Sequence, residues 1–291
     1  FGPLCGITDL DWIIKLGDMC DRLGLDTISA GNAVAFAMEC YKRGILSKED
    51  FVGSEPKFGD PESALDLILK ITYRSGIGKL LAEGVREAAR IISKGAEDVA
   101  VHVKGLEPPG YDPRALKGMA LAFAVSSRGA CHLRHMAYRP NLTGKHPFRP
   151  EIKVNRLLYE DQPQIVKEQE DFYTLVDSMI YCHFLCLPIA GPILWDELLA
   201  AFNGVTGLNI NMVAFKECAV RINNLIRLYN LREGAPSDTQ YPKVWLTQGL
   251  KRRGAEGEVV NEEKLQEMLK EYYKLRGWSD QGIPTDQAAK S

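Results

Sequence analysis

The densest group of chemically reactive side chains lies in residues 126–135, Ser-Ser-Arg-Gly-Ala-Cys-His-Leu-Arg-His, directly after an apolar segment. His132 and His135 could face one site as proton donors and acceptors, because imidazole titrates near neutral pH. Arg128 and Arg134 beside them could bind an anionic group. A polar loop with one hydrogen-bonded structural histidine has the same composition, so the segment alone leaves both interpretations open.

Two hexads share a second pattern. Residues 21–26 read DRLGLD and residues 177–182 read DSMIYC. Each places an Asp near the end of a predicted helix and a further potential ligand, Asp26 or Cys182, five residues later. A carboxylate is unfavourable at a helix C-terminus because the dipole there favours cations, which indicates a partner such as the N–H groups of a ligand. Alternatively, Asp21 is a solvated helix residue and Gly24 an ordinary helix cap.

The cysteines are scattered singly along the chain, a distribution that favours free thiols in a reducing cytoplasm over a disulfide framework. Cys182 and Cys186 are separated by three residues, which is compatible with metal ligation. An iron-sulfur cluster typically needs four thiolates, however, so the partners of Cys182 would have to come from other sequence. Four of the other cysteines have the character of small core residues: Cys20, Cys40, Cys131 and Cys218.

The composition is that of a globular protein with one large or two medium domains, at 291 residues with 45% apolar and 25% charged. Its 36 Lys and Arg residues nearly balance its 38 Asp and Glu residues, for a net charge of -2, which argues against nucleic-acid and membrane-surface partners. No apolar run reaches the roughly 18 residues of a membrane span. The chain begins with Phe1 in what reads as the middle of a turn, so we expect further sequence upstream.

Helix start and stop signals follow one another with almost no strand-like alternation, which predicts an all-α, multihelical fold. A capping box at 8–11 opens the first long helix, with Gly24 near its end and four residues expected towards the core: Leu10, Ile13, Ile14 and Met19. One helix is expected through residues 80–92. Another, 165–185, is expected to carry the second hexad.

The segment 105–111 contains two prolines and two glycines, enough to break any helix. It predicts a boundary near residue 104 and therefore two domains, 1–104 and 105–291. In the second domain, Asn261 is expected to cap a helix over 262–275. The tail, residues 277–291, is rich in Gly, Pro and polar residues and is expected to pack loosely.

Together these features resemble the aldehyde:ferredoxin oxidoreductase family, over essentially the whole chain and specifically its second and third domains. The segments that carry the resemblance stand in the family's order: GPLCGITDLD, CDRLGLDTISAGN, FGDPESAL, LLAEGVREAA, VKGLEPPGYDPRALKGMALAFAVSSRGACHLR, VDSMIYCHF, RINNLIRLYNLREG and YYKLRGWSDQGIPT.

The resemblance implies an enzyme that holds tungsten, or sometimes molybdenum, between the dithiolenes of two pterins beside a [4Fe-4S] cluster. Members oxidise a small aldehyde with water to a carboxylic acid and pass the electrons to ferredoxin. The expected partners are therefore ferredoxin, an aldehyde and the missing N-terminal domain, and a homo-oligomer is possible.

The resemblance also implies roles for particular residues. Each hexad serves one pterin, through Asp21, Gly24, Leu25 and Asp26 in the first hexad and through Asp177 and Tyr181 in the second. The second hexad departs from the pattern with Ile180 where Gly is usual and Tyr181 where Leu is usual.

Three further roles follow from the same resemblance. Cys182 matches the fourth ligand of the cluster. His132 matches a histidine near the metal that can assist catalysis by donating a hydrogen bond, with His135 as its rival. Arg134 matches a basic residue that contacts the pterin's polar groups.

The family's other three cluster cysteines, a glutamate proposed as acid/base and the β-rich N-terminal domain precede the first turn of this sequence. We therefore expect the chain by itself to retain neither tungsten nor a cluster and to be inactive. Two alternatives stay open. One is an oxidoreductase of the same fold with another substrate, such as an aromatic acyl-CoA, and the other is a helical scaffold subunit without catalysis.

Overall fold

A computed structural model of the chain describes residues 1–52, 55–186, 193–251 and 253–285. These residues form thirteen α-helices and three short 3₁₀ helices without a β-strand, which confirms the all-α, multihelical fold class. The α-helices are α1 (Gly2–Cys5), α2 (Leu10–Leu23), α3 (Thr27–Lys42), α4 (Pro61–Tyr73), α5 (Gly78–Leu81), α6 (Val85–Ile92), α7 (Lys117–Val125), α8 (Tyr138–Thr143), α9 (Gln162–Ser178), α10 (Trp195–Thr206), α11 (Met212–Arg232), α12 (Lys243–Thr247) and α13 (Glu262–Arg276).

The chain packs as two compact units. The first comprises Phe1–Tyr111, Arg128–Ala130 and Gln240–Gln248, and the second comprises the described residues of Asp112–Ser127, Cys131–Thr239 and Gly249–Ser291. The division into folding domains 1–104 and 105–291 stays a prediction. In the packing, however, residues 105–111 group with the first unit.

Hydrogen bonds of Glu107 explain this grouping. Its buried carboxylate accepts hydrogen bonds from the Ser29 hydroxyl at 2.9 Å and from the Val85 backbone N–H at 2.8 Å. The Asn32 side chain donates to the Pro108 carbonyl at 2.8 Å. Glu107 thus links α3 to the N-terminus of α6, where a carboxylate also suits the helix dipole.

Helix α3 is the centre of the first unit, and it contacts α1, α2, α4, α5 and α6. Its small side chains, such as Ala33 and Ala37, are almost fully buried and let the neighbouring helices approach closely. Val34 and Met38 fill the space between those helices and are completely buried. Since α3 begins directly after Asp26, this core fixes the position of the first hexad.

The sequence predicted the end of α2 near Gly24 correctly and its buried face in part, since Ile13 and Met19 pack against the core as expected. Asp9 caps the helix and Gly24 follows its last residue. Leu10 and Ile14 were expected in the core and are instead 66% and 61% exposed, because α2 packs through the face that carries the fully buried Leu16. Helical spacing identifies an apolar stripe but does not say which of two stripes meets the core.

The single helix expected over residues 80–92 is two helices, α5 and α6. Gly84 lies between them with φ of +84°, a backbone conformation that an α-helix cannot include. The prediction was wrong because the apolar periodicity continues across the break, while the interruption depends on this one glycine.

Helix α9 is the centre of the second unit and contacts α7, α11 and α13. The helix expected over 165–185 was wrong at its C-terminal end, since α9 stops at Ser178. Ile180 takes a positive φ of 59°, which ends the helix, and His183–Cys186 then forms a separate 3₁₀ turn.

A buried cluster of charges fixes α9 to α13. The guanidinium of Arg276 is completely buried and pairs with the carboxylates of Glu170 and Asp171. Asp171 also accepts hydrogen bonds from Lys167 at 2.8 Å and from Asn223 at 3.1 Å. Burial acts to raise the pKa of Asp171, but the positive charges of Arg276 and Lys167 outweigh it and hold that pKa below its usual value.

Residues 277–285 were expected to pack loosely, but Trp278, Gly282 and Pro284 are buried. Trp278 is 8% exposed, and its indole N–H donates to the Asn224 side chain at 2.7 Å. Arg227 donates to the Gly282 carbonyl at 2.8 Å. The prediction rested on polar composition, which does not report these long-range hydrogen bonds; its remaining part, 286–291, lies outside the described residues.

Among the residues that the structure describes, we find no helix with both the length and the hydropathy of a membrane span.

Removing the buried guanidinium should destabilise the protein severely. We predict that Arg276→Met lowers the free energy of unfolding by about 3–5 kcal/mol, because Glu170 and Asp171 then stay buried without it. Lys274→Met is the matched control, since the Lys274 side chain is 80% exposed on the same helix. Urea denaturation followed by circular dichroism measures both, and equal stability of the two variants would contradict the prediction.

Candidate functional site

The two hexads end their helices with the same backbone turn. In the first, Gly24 N–H donates to the Asp21 carbonyl at 3.3 Å, and Leu25 N–H donates to the Cys20 carbonyl at 2.9 Å. In the second, the corresponding bonds run from residue 180 to 177 and from residue 181 to 176, both at 3.0 Å. Each is a Schellman cap, in which the residue after the helix is left-handed.

Ile180 therefore occupies the position of Gly24 in the turn. Their φ values are 59° and 69°. A β-branched residue is rare in this region, where the Cβ approaches the following carbonyl at a cost of roughly 1–2 kcal/mol. Ile180 is 93% exposed. Packing of its side chain against the described residues therefore does not offset that strain. The departure from the family pattern changes the residue but not the turn.

Asp21 presents an accessible carboxylate at the first turn. The residue is exposed, and among the described residues no side-chain hydrogen bond or ion pair to its carboxylate is present. Asp26, the last residue of this hexad, has a structural contact: its carboxylate accepts the Ser29 backbone N–H at 2.7 Å and caps α3. Leu25 packs against the first unit's core.

Asp177 has a different environment from Asp21. Its Oδ2 accepts a hydrogen bond from Arg134 at 3.2 Å, and its Oδ1 lies 2.6 Å from Nε2 of His183. The structure therefore brings together two predicted site residues, Asp177 and Arg134. The neighbouring Tyr181 is half-buried and packs against the second unit's core.

Cys182 is the one exposed cysteine among the seven, all of which lie in the described residues. Burial raises the pKa of the thiols of Cys5 and Cys20 to about 11, which suits inert core residues. An exposed thiol is of the right type to bind iron as one ligand of a cluster. No group of three or more His, Cys, Asp and Glu side chains within the described ranges could hold a metal ion by itself.

The two predicted histidines differ in accessibility. His132 is half-buried, with its ring centroid 6.2 Å from that of Tyr138. His135 is completely buried, which lowers its pKa to about 3 and keeps it neutral, and its Nδ1 accepts the Ala137 backbone N–H at 3.3 Å. His132 therefore has the access to a ligand that His135 lacks, although its role near a metal stays a prediction.

Sequence reasoning missed His183, Arg139 and Tyr173, which surround the second hexad. Arg139 donates both to the Tyr173 hydroxyl at 2.8 Å and to the Cys186 carbonyl at 2.9 Å. The position of His183 directly after Cys182 was a signal that could have been followed. The contacts of Arg139 join residues distant in sequence, and no local pattern reports them.

Comparison with known proteins finds similarity to one family over the whole chain. A family profile described as aldehyde ferredoxin oxidoreductase, domains 2 and 3, matches residues 1–291. Tungsten-containing aldehyde ferredoxin oxidoreductases of Pyrococcus furiosus and Thermococcus kodakarensis are each 34% identical, over 98% and 99% of this chain. In both cases the match covers 46% of the relative, so the chain spans about half the length of these curated relatives.

Two further similarities extend the range of chemistry. The WOR-like subunit of an aliphatic sulfonate oxidoreductase from Pyrococcus furiosus is 31% identical over 98% of this chain and 43% of its own length. Among solved structures, the active-site complex BamBC of benzoyl coenzyme A reductase with 1,5-dienoyl-CoA matches with a TM-score of 0.73 and 25% identity. That match covers 97% of this chain and 46% of the other.

The shared turn predicts opposite effects of adding and of removing a glycine at its left-handed position. Ile180→Gly should raise the free energy of unfolding by about 1 kcal/mol, because glycine adopts a positive φ without steric strain. Gly24→Ala should lower it by about 1 kcal/mol at the corresponding position, where space is open and only the backbone conformation is unfavourable. Thermal or urea unfolding of this chain measures both; a loss of stability in Ile180→Gly would contradict the shared strain.

Proposed function

This chain belongs to the aldehyde ferredoxin oxidoreductase family, and we propose that it forms the two helical domains of a longer enzyme that oxidises aldehydes to carboxylic acids. In this proposal the longer protein binds a tungsten or molybdenum bis-pterin and a [4Fe-4S] cluster. Ferredoxin is the electron acceptor. The observation that carries the proposal is the repeated turn. The first copy leaves the Asp21 carboxylate accessible, and the second is followed by Cys182, the exposed cysteine of the seven.

The residues present fit part of such a cofactor site by their chemistry. Asp21 and Asp177 are carboxylates, and they would accept hydrogen bonds from the N–H groups of a pterin. Cys182 would bind one iron of the cluster through its thiolate. His132 would donate a hydrogen bond near the metal, and Arg134 would contact polar groups of a pterin.

The bound metal and pterins supply the oxidation of the aldehyde with water, and the cluster supplies the path for its electrons to ferredoxin. The protein side chains position these groups. Asp21 is available for this without rearrangement of its own contacts. The Asp177 carboxylate, in contrast, is already oriented by Arg134 and His183 when it binds a pterin. The two carboxylates therefore contact their pterins from different environments.

A second candidate function is the reduction of an aromatic acyl-CoA. It is favoured by the structural similarity to the benzoyl coenzyme A reductase complex at a TM-score of 0.73. The two candidates share the cofactor contacts but differ in substrate. Two assays of the longer protein separate them: oxidation of aldehydes with oxidised ferredoxin as the acceptor, and reduction of benzoyl-CoA with reduced ferredoxin as the donor.

We predict that Cys182→Ser in the longer protein loses iron from the cluster, because serine does not replace a thiolate ligand. Cys218→Ser is the control, since Cys218 is half-buried and lies outside the second hexad. Iron and tungsten are measured by elemental analysis of the purified proteins. Full iron content in Cys182→Ser would contradict the assignment of the cluster ligand.

We also predict that the 291-residue chain, produced by itself, purifies without stoichiometric tungsten or iron and does not oxidise aldehydes. One exposed thiol and two pterin-contacting turns are only part of the cofactor's binding site. Elemental analysis and an aldehyde oxidation assay test this. Stoichiometric tungsten or iron in the isolated chain would show that these residues suffice.

A further inference from the structure

The chain around Cys182 is anchored on both sides, although the thiol itself is exposed. Upstream, Asp177 lies in the last turn of α9. Downstream, Leu185 N–H donates to the Cys182 carbonyl at 3.0 Å, and Cys186 is buried with its carbonyl held by Arg139. The turn that presents the thiol is therefore defined by contacts within the second unit.

His183 is the side chain that joins the two ends of this turn. Its Nε2 lies 2.6 Å from Oδ1 of Asp177, and its ring lies against that of Tyr173 with centroids 4.9 Å apart. The side chain is only 17% exposed. Its Nδ1 has no hydrogen-bond partner among the described residues, so the contact with Asp177 is the polar interaction that orients the imidazole there.

Hydrogen bonds and burial hold the ring on which His183 lies. Tyr173 is buried in α9, and its hydroxyl accepts a hydrogen bond from Arg139 at 2.8 Å. Arg139 also holds the carbonyl of Cys186, so one guanidinium fixes both the ring beneath His183 and the far end of the turn. A change at His183 should therefore affect the turn without unfolding the helix below it.

The first hexad lacks this arrangement. There the last residue, Asp26, caps the next helix through Ser29, and no described side chain bridges back to the Asp21 carboxylate. The bridge is thus specific to the hexad that ends in cysteine. A general requirement of the backbone turn does not explain it, because the turn forms equally well without it.

We propose that His183 is a positioning residue that couples the Asp177 carboxylate to the Cys182 thiolate. Through it, the pterin contact and the cluster contact of the second hexad are held as one unit. This inference rests on the proposed function, because it assigns those contacts to Asp177 and Cys182. Metal-binding proteins commonly use such hydrogen-bonded neighbours to orient their ligands.

The test compares variants of His183 in the longer protein with its cofactors bound. His183→Phe keeps a ring against Tyr173 but removes the N–H, and His183→Gln restores a donor at about the position of Nε2. We expect His183→Phe to lose iron to a chelator about tenfold faster than the unmodified protein. The electron paramagnetic resonance spectrum of its reduced cluster should also shift, and His183→Gln should restore both properties.

Phe184→Ala is the matched control, because Phe184 is the next residue and is 76% exposed. It should leave iron loss and the spectrum unchanged. If His183→Phe does not fold, His183→Asn provides the same comparison, since its shorter amide matches Nδ1 rather than Nε2.

An unchanged rate of iron loss and an unchanged spectrum in a folded His183→Phe or His183→Asn protein would overturn the coupling while the proposed function stands. An unmodified longer protein that contains neither iron nor tungsten would overturn the proposed function and this inference together.

Discussion

The pairing of Arg276 with Glu170 and Asp171 is the interaction on which the second unit depends. Two carboxylates on consecutive residues of α9 are stable in a protein interior only while a cation lies between them. Rotation or sliding of α9 would leave one of them unpaired, so the charges define a single position for this helix. Its last turn carries Asp177, and the location of the second hexad follows from a contact made seven and six residues earlier in the chain.

The same terminal turn is built by two different sequences. In the first hexad glycine adopts the left-handed conformation without strain, and in the second an exposed isoleucine adopts it at a cost of roughly 1–2 kcal/mol. Strained conformations persist where the surrounding structure determines them. Here the surroundings are the end of α9 on one side and the held 3₁₀ turn, His183–Cys186, on the other. The turn thus forms with either glycine or isoleucine at its left-handed position, although glycine is the usual residue there in the family.

Sequence patterns predicted what depends on neighbours along the chain. The cap Asn261, the end of α2 near Gly24 and the all-α class were correct, because capping and periodicity are local. Patterns predicted the buried face of α2 only in part and did not predict the ordered residues after Arg276, since both depend on partners distant in sequence. The ligands implied for the site came from resemblance to a family, whereas the His183 bridge became visible only when residues 177 and 183 were placed in space.

The most direct measurement is an experimental structure of the longer protein, purified from the cells that make it. The proposed function predicts that Sγ of Cys182 is bound to an iron of a cluster and that the carboxylates of Asp21 and Asp177 each accept hydrogen bonds from a pterin. A structure in which Cys182 is a free thiol and neither carboxylate contacts a cofactor would contradict it.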